Sequence, residues 1–161
     1  MKSIALSLII LSATGLSMAQ NVVVTEAWAR TSVQGQKATG AFMTLTAKEG
    51  VKLVSASTPV AGVAEVHEMK MDGDIMRMRA VTGGLDLPAG KAVELKPGSY
   101  HIMLMDLKAA LPKDTTVPLT LVFKDAKGVQ SKIELKVPVS TAAPRATSAG
   151  GAAMQMDQHK H

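Results

Sequence analysis

Cysteine is absent from the 161 residues. That absence excludes disulfide bridges, thiolate zinc sites, iron–sulfur clusters, blue-copper centres and thiol nucleophiles. Aromatic side chains are scarce as well: one tryptophan, one tyrosine and two phenylalanines. The chain is basic, with 18 Lys and Arg against 13 Asp and Glu and a formal net charge of +5. Those charges are scattered, and almost no ring is present to stack a base, so a nucleic-acid function is not expected. The acidic residues show no paired spacing suited to acid–base work. Gly83-Gly84 lacks the surroundings of a phosphate loop, and Ser99 beside His101 has no third partner for a triad. An enzyme is not expected. What the chain has in abundance is methionine, eleven residues, together with four histidines.

Long apolar runs are missing too. Ile4–Leu11 is too short to span a bilayer, follows the basic Met1-Lys2, and precedes the small residues of Ser17-Met18-Ala19. Residues 1–19 are therefore expected to be a signal peptide cut before Gln20, which sends the chain to a bacterial-type periplasm. No later segment approaches the ~18 apolar residues of a membrane helix, so no membrane insertion is expected. Residues 20–139 suit one domain. From Ser140 to His161 the composition turns to Ala, Pro, Ser, Thr and Gly, which reads as a disordered tail.

Within the domain, short alternating β-branched runs recur: Val22–Ala29, Gly40–Ala47, Val51–Ser57, Val63–Met71, Ile75–Val81, Ala92–Leu95, Tyr100–Met105, Val117–Phe123 and Gln130–Val139. Turn residues such as Asp72-Gly73, Pro97-Gly98 and Lys127-Gly128 separate them. Leu107–Leu111 suits a single helical turn. The pattern predicts an all-β, antiparallel Greek-key β-sandwich.

One hairpin carries the chemistry. Asp72-Gly73 between two alternating runs predicts a type I′ turn. Flanked by Met71 and Asp74, that turn sets His67 opposite Met78, Met69 opposite Met76, Glu68 opposite Arg77 and Val66 opposite Arg79. Sulfur and imidazole then share one face and charges the other. A buried methionine face would look the same, and the hairpin alone leaves core and metal readings open. In Tyr100–Met105, Ile102 and Leu104 are the better core residues. His101 and Met103 therefore point away from the densest packing. Two imidazoles and two thioethers form a soft, neutral donor set suited to Cu(I), and less to zinc, magnesium or calcium. Protonation of either histidine would oppose binding.

The spacing His67, ten residues, Met78, then His101-x-Met103 resembles the copper motif of the periplasmic copper chaperone family PCuAC. Ala27-Trp28-Ala29-Arg30 and Leu95-Lys96-Pro97-Gly98 are similar to segments of that family, and the likeness spans Val22 to Val139. Twenty-two residues separate Met78 from His101, one more than is usual there, a difference the Gly83–Gly90 loop can absorb. The resemblance implies a cupredoxin-like sandwich holding Cu(I) through His67, Met78, His101 and Met103. It also implies delivery to the CuA centre of cytochrome c oxidase, alongside a Sco-type thioredoxin-fold protein. An alternative is copper sequestration with no oxidase target. Met154, Met156, His159 and His161, with Asp157, repeat the donor theme in the tail. They suggest an auxiliary copper site, including Cu(II) at the histidines.

Overall fold

The computed structural model describes residues 20–144. The expected signal peptide (1–19) lies outside the described residues, as do Met154, Met156, Asp157, His159 and His161.

Ten strands follow in order: β1 (Val22–Arg30), β2 (Ala38–Ala47), β3 (Val51–Ser57), β4 (Ala61–Asp72), β5 (Ile75–Ala80), β6 (Leu85–Leu87), β7 (Ala92–Leu95), β8 (His101–Leu107), β9 (Thr116–Asp125) and β10 (Gln130–Ser140). Their hydrogen-bonded order is β5-β4-β8-β2-β1-β10-β9-β3-β6, with β7 beside β2. All these pairings are antiparallel except β1 with β10, which run parallel at Ala29–Val139 and Arg30–Ser140. That join divides the path into two layers. Leu45, Ile102 and Leu104 from the first layer share one fully buried core with Leu53, Leu121, Phe123 and Val137 from the second. The cause is strict alternation: in β9, Val117, Leu119, Leu121 and Phe123 are buried while their neighbours are more exposed. The expected antiparallel β-sandwich is observed.

Three local expectations change. Leu107–Leu111 is not helical: Leu107 ends β8 and Leu111 bridges Ser32 through paired backbone hydrogen bonds. β6 was not anticipated, because three residues are too few to show a period. Ser140 belongs to β10 rather than to the tail, its carbonyl accepting from the Thr31 amide at 3.1 Å.

A bulge in β1 has the largest consequence for the outer surface. The β1–β2 register shifts between Thr25 and Trp28, where Glu26 adopts φ +53°. Before the shift Val22 and Val24 pair with inward Ala47 and Leu45; after it Trp28 pairs with outward Phe42. One extra residue thus turns Trp28 and Arg30 to the outside of the sheet.

Candidate metal centre

The outer face of the first layer is assembled by register. His67 pairs with His101 across β4–β8, Glu65 with Met103, and Gly40 with Met103 across β2–β8. Paired residues share a face, so imidazoles and thioethers from β4, β5 and β8 stand beside Gly40 and Phe42 of β2. The bulge adds Trp28 and Arg30.

Packing on this face begins with a glycine. A Cβ on Gly40 would lie 2.7 Å from Phe42 Cζ, so only glycine lets the Phe42 ring fold back over the strand. Trp28 stacks on that ring with centroids 4.7 Å apart, and Arg30 lies over it at 5.5 Å from Cζ to centroid. His101 follows at 6.3 Å from Phe42, and His67 at 6.0 Å from His101. His101 is consequently buried, 4% exposed, although its strand face is the outer one. It points away from the main core, as expected, but is not exposed there: Phe42 supplies a second, local packing layer.

Hydrogen bonds select the nitrogen that each ring can offer. His101 Nδ1 lies 3.0 Å from the Ser99 carbonyl oxygen. A carbonyl only accepts, so Nδ1 carries the proton and Nε2 presents a lone pair. His67 is the reverse. Its Nε2 donates to Glu65 Oε2 at 3.3 Å, and its Nδ1 is buried with no polar partner. An orphaned buried nitrogen of this kind costs about 1–3 kcal/mol unless something satisfies it. Among the described residues no group of three or more His, Asp or Glu is placed to hold a metal ion. The donors gathered here are nitrogen and sulfur.

Met69, Met78, His101 and Met103 line one open cavity of about 340 Å³, together with Arg30, Gly40, Phe42 and the Pro97-Gly98 turn. Lys96 anchors that turn: its carbonyl accepts from the Ser99 amide and its amide donates to the Tyr100 carbonyl. Of the four ligands expected from sequence, His101, Met103 and Met78 line the cavity; His67 is not part of its lining, and its ring lies 6.0 Å from that of His101.

The hairpin register differs from expectation. Met78 faces Met69, not His67; His67 faces Ala80, Met71 faces Met76, Glu68 faces Arg79, and Lys70 faces Arg77. The turn is Gly73-Asp74 rather than Asp72-Gly73. Gly73 has φ +63° while Asp74 has no positive φ, the type II′ arrangement with glycine at the first central position. The slip is two residues, so every side chain keeps its face. Charged partners stay on the opposite side, Arg79 with Glu68 and Arg77 with Asp72, each at 2.9 Å.

Sequence reasoning left Met69 as a neighbour and did not single out Gly40 or Phe42. Met69 shared the strand parity of His67, a usable signal. Phe42 and Gly40 carried none, because their role depends on which strand lies beside β8.

Residues 22–139 match the LpqE-like lipoprotein family profile. The chain is 32% identical over 107 residues to Lxx21020 of Leifsonia xyli subsp. xyli, and 32% over 115 residues to the uncharacterized protein RP573 of Rickettsia prowazekii. Those matches cover 66% and 68% of this chain but only 64% and 62% of the two relatives. Among solved structures, the apo PCuAC domain from PmoF1 superposes with a TM-score of 0.60 at 21% identity, covering 78% of this chain and 96% of that domain. The Cu(I) form of DR1885 from Deinococcus radiodurans superposes at 0.54 with 31% identity, covering 78% of this chain and 83% of that one. On the match across nearly the whole folded region, this chain belongs to the LpqE-like family, and its fold is that of the PCuAC domains.

Proposed function

We propose that the protein is a copper carrier. It binds one Cu(I) through His67 Nδ1, His101 Nε2 and the thioethers of Met78 and Met103, and hands the ion on without catalysis. The observation that carries this reading is the convergence of soft, neutral donors on one cavity, one of them His101, whose ring neighbours that of a second histidine with a buried, partnerless nitrogen. Thioethers carry no proton and no charge, so the bound ion keeps its +1 charge and is held less tightly than by thiolates. Such a site favours transfer over storage. The Cu(I)-bound form of DR1885 supports the same metal and oxidation state.

The recipient in this reading is the CuA centre of cytochrome c oxidase, served directly or with a Sco-type thioredoxin-fold protein. The compartment is the periplasm; the lipoprotein descriptions of the family and of the Leifsonia relative support export. Met154, Met156, His159 and His161 gather further copper, with Cu(II) at the histidines.

The test is Cu(I) titration against a competing chelator for the wild type and for Met78→Ala and His101→Ala. Wild type takes its first, tightest equivalent at this site. Loss of a group that only hydrogen-bonds to a ligand typically costs about 10–100-fold in metal affinity, so loss of a ligand weakens binding at least that much. Variants that bind as tightly as wild type overturn the site. For delivery, the loaded protein is mixed with an apo CuA domain and the two are separated; absence of copper from the recovered CuA domain leaves sequestration as the function.

A further inference from the structure

Methionines on the β4–β5 hairpin continue past the cavity. Met69 and Met78 form one cross-strand pair, and Met71 and Met76 form the next pair toward the tip on the same face. Directly opposed Cβ atoms lie about 4.5–5.5 Å apart, and successive pairs on one face are about 7 Å apart. The outer pair does not belong to the core: Met71 is 55% exposed and Met76 51%. Exposed methionines contribute little to burial, yet here two of them oppose each other in register with the cavity's own pair. Along the paired strands their face carries no charge, because Glu68, Lys70, Asp72, Arg77 and Arg79 all lie on the opposite one; Asp74 lies in the turn itself.

We infer that Met71 and Met76 form a second, exposed soft-metal site that captures Cu(I) at the hairpin tip and passes it inward to Met69, Met78 and the buried imidazoles. The inference rests on the cavity being the Cu(I) site. Transfer is ligand exchange. A Cu–S bond to Met71 or Met76 forms as a donor's ligand leaves, then a bond to Met69 or Met78 forms as the outer sulfur is released. Copper stays Cu(I) throughout, the thioethers are neutral before and after, and no proton or electron moves. Methionine is unbranched and flexible, so each sulfur can swing between neighbouring pairs. Met78, itself 48% exposed, is the link that both sites share.

The experiment follows Cu(I) loading of the full chain from a chromogenic chelator complex by stopped-flow absorbance. It compares wild type, M71L/M76L, M71A/M76A and the tip control I75A. Ile75 is as exposed as the methionines but lies on the charged face, opposite Asp72. Leucine keeps the apolar surface and removes the sulfur. Captured metal held at the tip has a high effective concentration at the cavity, so M71L/M76L and M71A/M76A load about tenfold more slowly or worse. Their equilibrium affinity for the first equivalent is unchanged, and I75A loads as wild type does. Loading of M71L/M76L at the wild-type rate overturns the inference, even if the alanine variant is slow, because contact with the chelator would then be merely apolar. A matching loss of equilibrium affinity also overturns it by making the pair part of the main site. Failure of the wild type to take any Cu(I) instead refutes the copper reading itself.

Discussion

His67 concentrates the chemistry at the scale of single residues. Its strand parity with Met69 was legible from the alternation of VAEVHEMKM, but the state of its ring was not. That state depends on Glu65 holding Nε2 and on the strand of His101 lying alongside, which together leave Nδ1 buried and bare. The nitrogen is a cost to the metal-free protein and, in the proposed function, a ligand for copper. His67→Leu, of similar bulk, removes the orphan. The apo variant is therefore expected to melt at or above the wild-type temperature, by up to about 1 kcal/mol of stability. Copper separates the two. At a free concentration 100-fold above Kd, a ligand stabilises the folded state by about 2.7 kcal/mol. Wild type should show a copper-dependent rise in melting temperature under reducing conditions, and His67→Leu should lose most of it. An undiminished rise in the variant removes His67 from the ligand set. At His101, alternation predicted an outward side chain but could not predict its cover, which comes from a ring that only Gly40 allows to lie there.

The β4–β5 hairpin is the element on which face and register part company. Alternation gave the faces correctly, since any slip by two residues leaves them intact. Register depended on which pair of residues takes the turn, and Asp72-Gly73-Asp74 offers two choices with one glycine. The chain places Gly73 first, at φ +63°. No β-branched residue accepts that conformation without strain of about 1–3 kcal/mol. β5 is exposed along its whole length and contributes nothing to the common core, so the strain cannot be absorbed by packing. Gly73→Val is expected to leave the global melting temperature within a degree or two, while raising amide hydrogen exchange across Ile75–Ala80 by about 10–100-fold. Cu(I) affinity should fall with it, because Met78 rides on that strand. Hydrogen exchange and chelator competition on the same sample read both effects. Unchanged β5 protection shows that the turn does not hold the register.

For the molecule as a whole, nine of the ten strands and their approximate limits could be read from periodicity, but their spatial order could not. β2 lies between β1 and β8, and β8 lies against β4, so the site's donors meet through pairings remote in sequence. A single chain's pattern gives no sign of such neighbours; it was the resemblance in the residues themselves that supplied them. The same long-range pairing decides how the tail must be tested. Composition placed the end of the domain at Val139. Ser140, however, pairs with Arg30, and its carbonyl accepts from Thr31, so the last residues of β10 brace the strand that holds Arg30 over Phe42. A truncation at Val139 would disturb the cavity wall and the tail at once. A truncation after Pro144 leaves every described strand intact while removing Met154, Met156, His159 and His161. Imidazole nitrogens with the Asp157 carboxylate suit Cu(II), whereas the thioether-bearing cavity favours Cu(I). The chain ending at Pro144 is therefore expected to keep the wild-type melting temperature and one equivalent of Cu(I), and to lose the Cu(II) signal in electron paramagnetic resonance titrations. Cu(II) uptake that survives this truncation would move the oxidised site onto the folded domain and remove His159 and His161 from it.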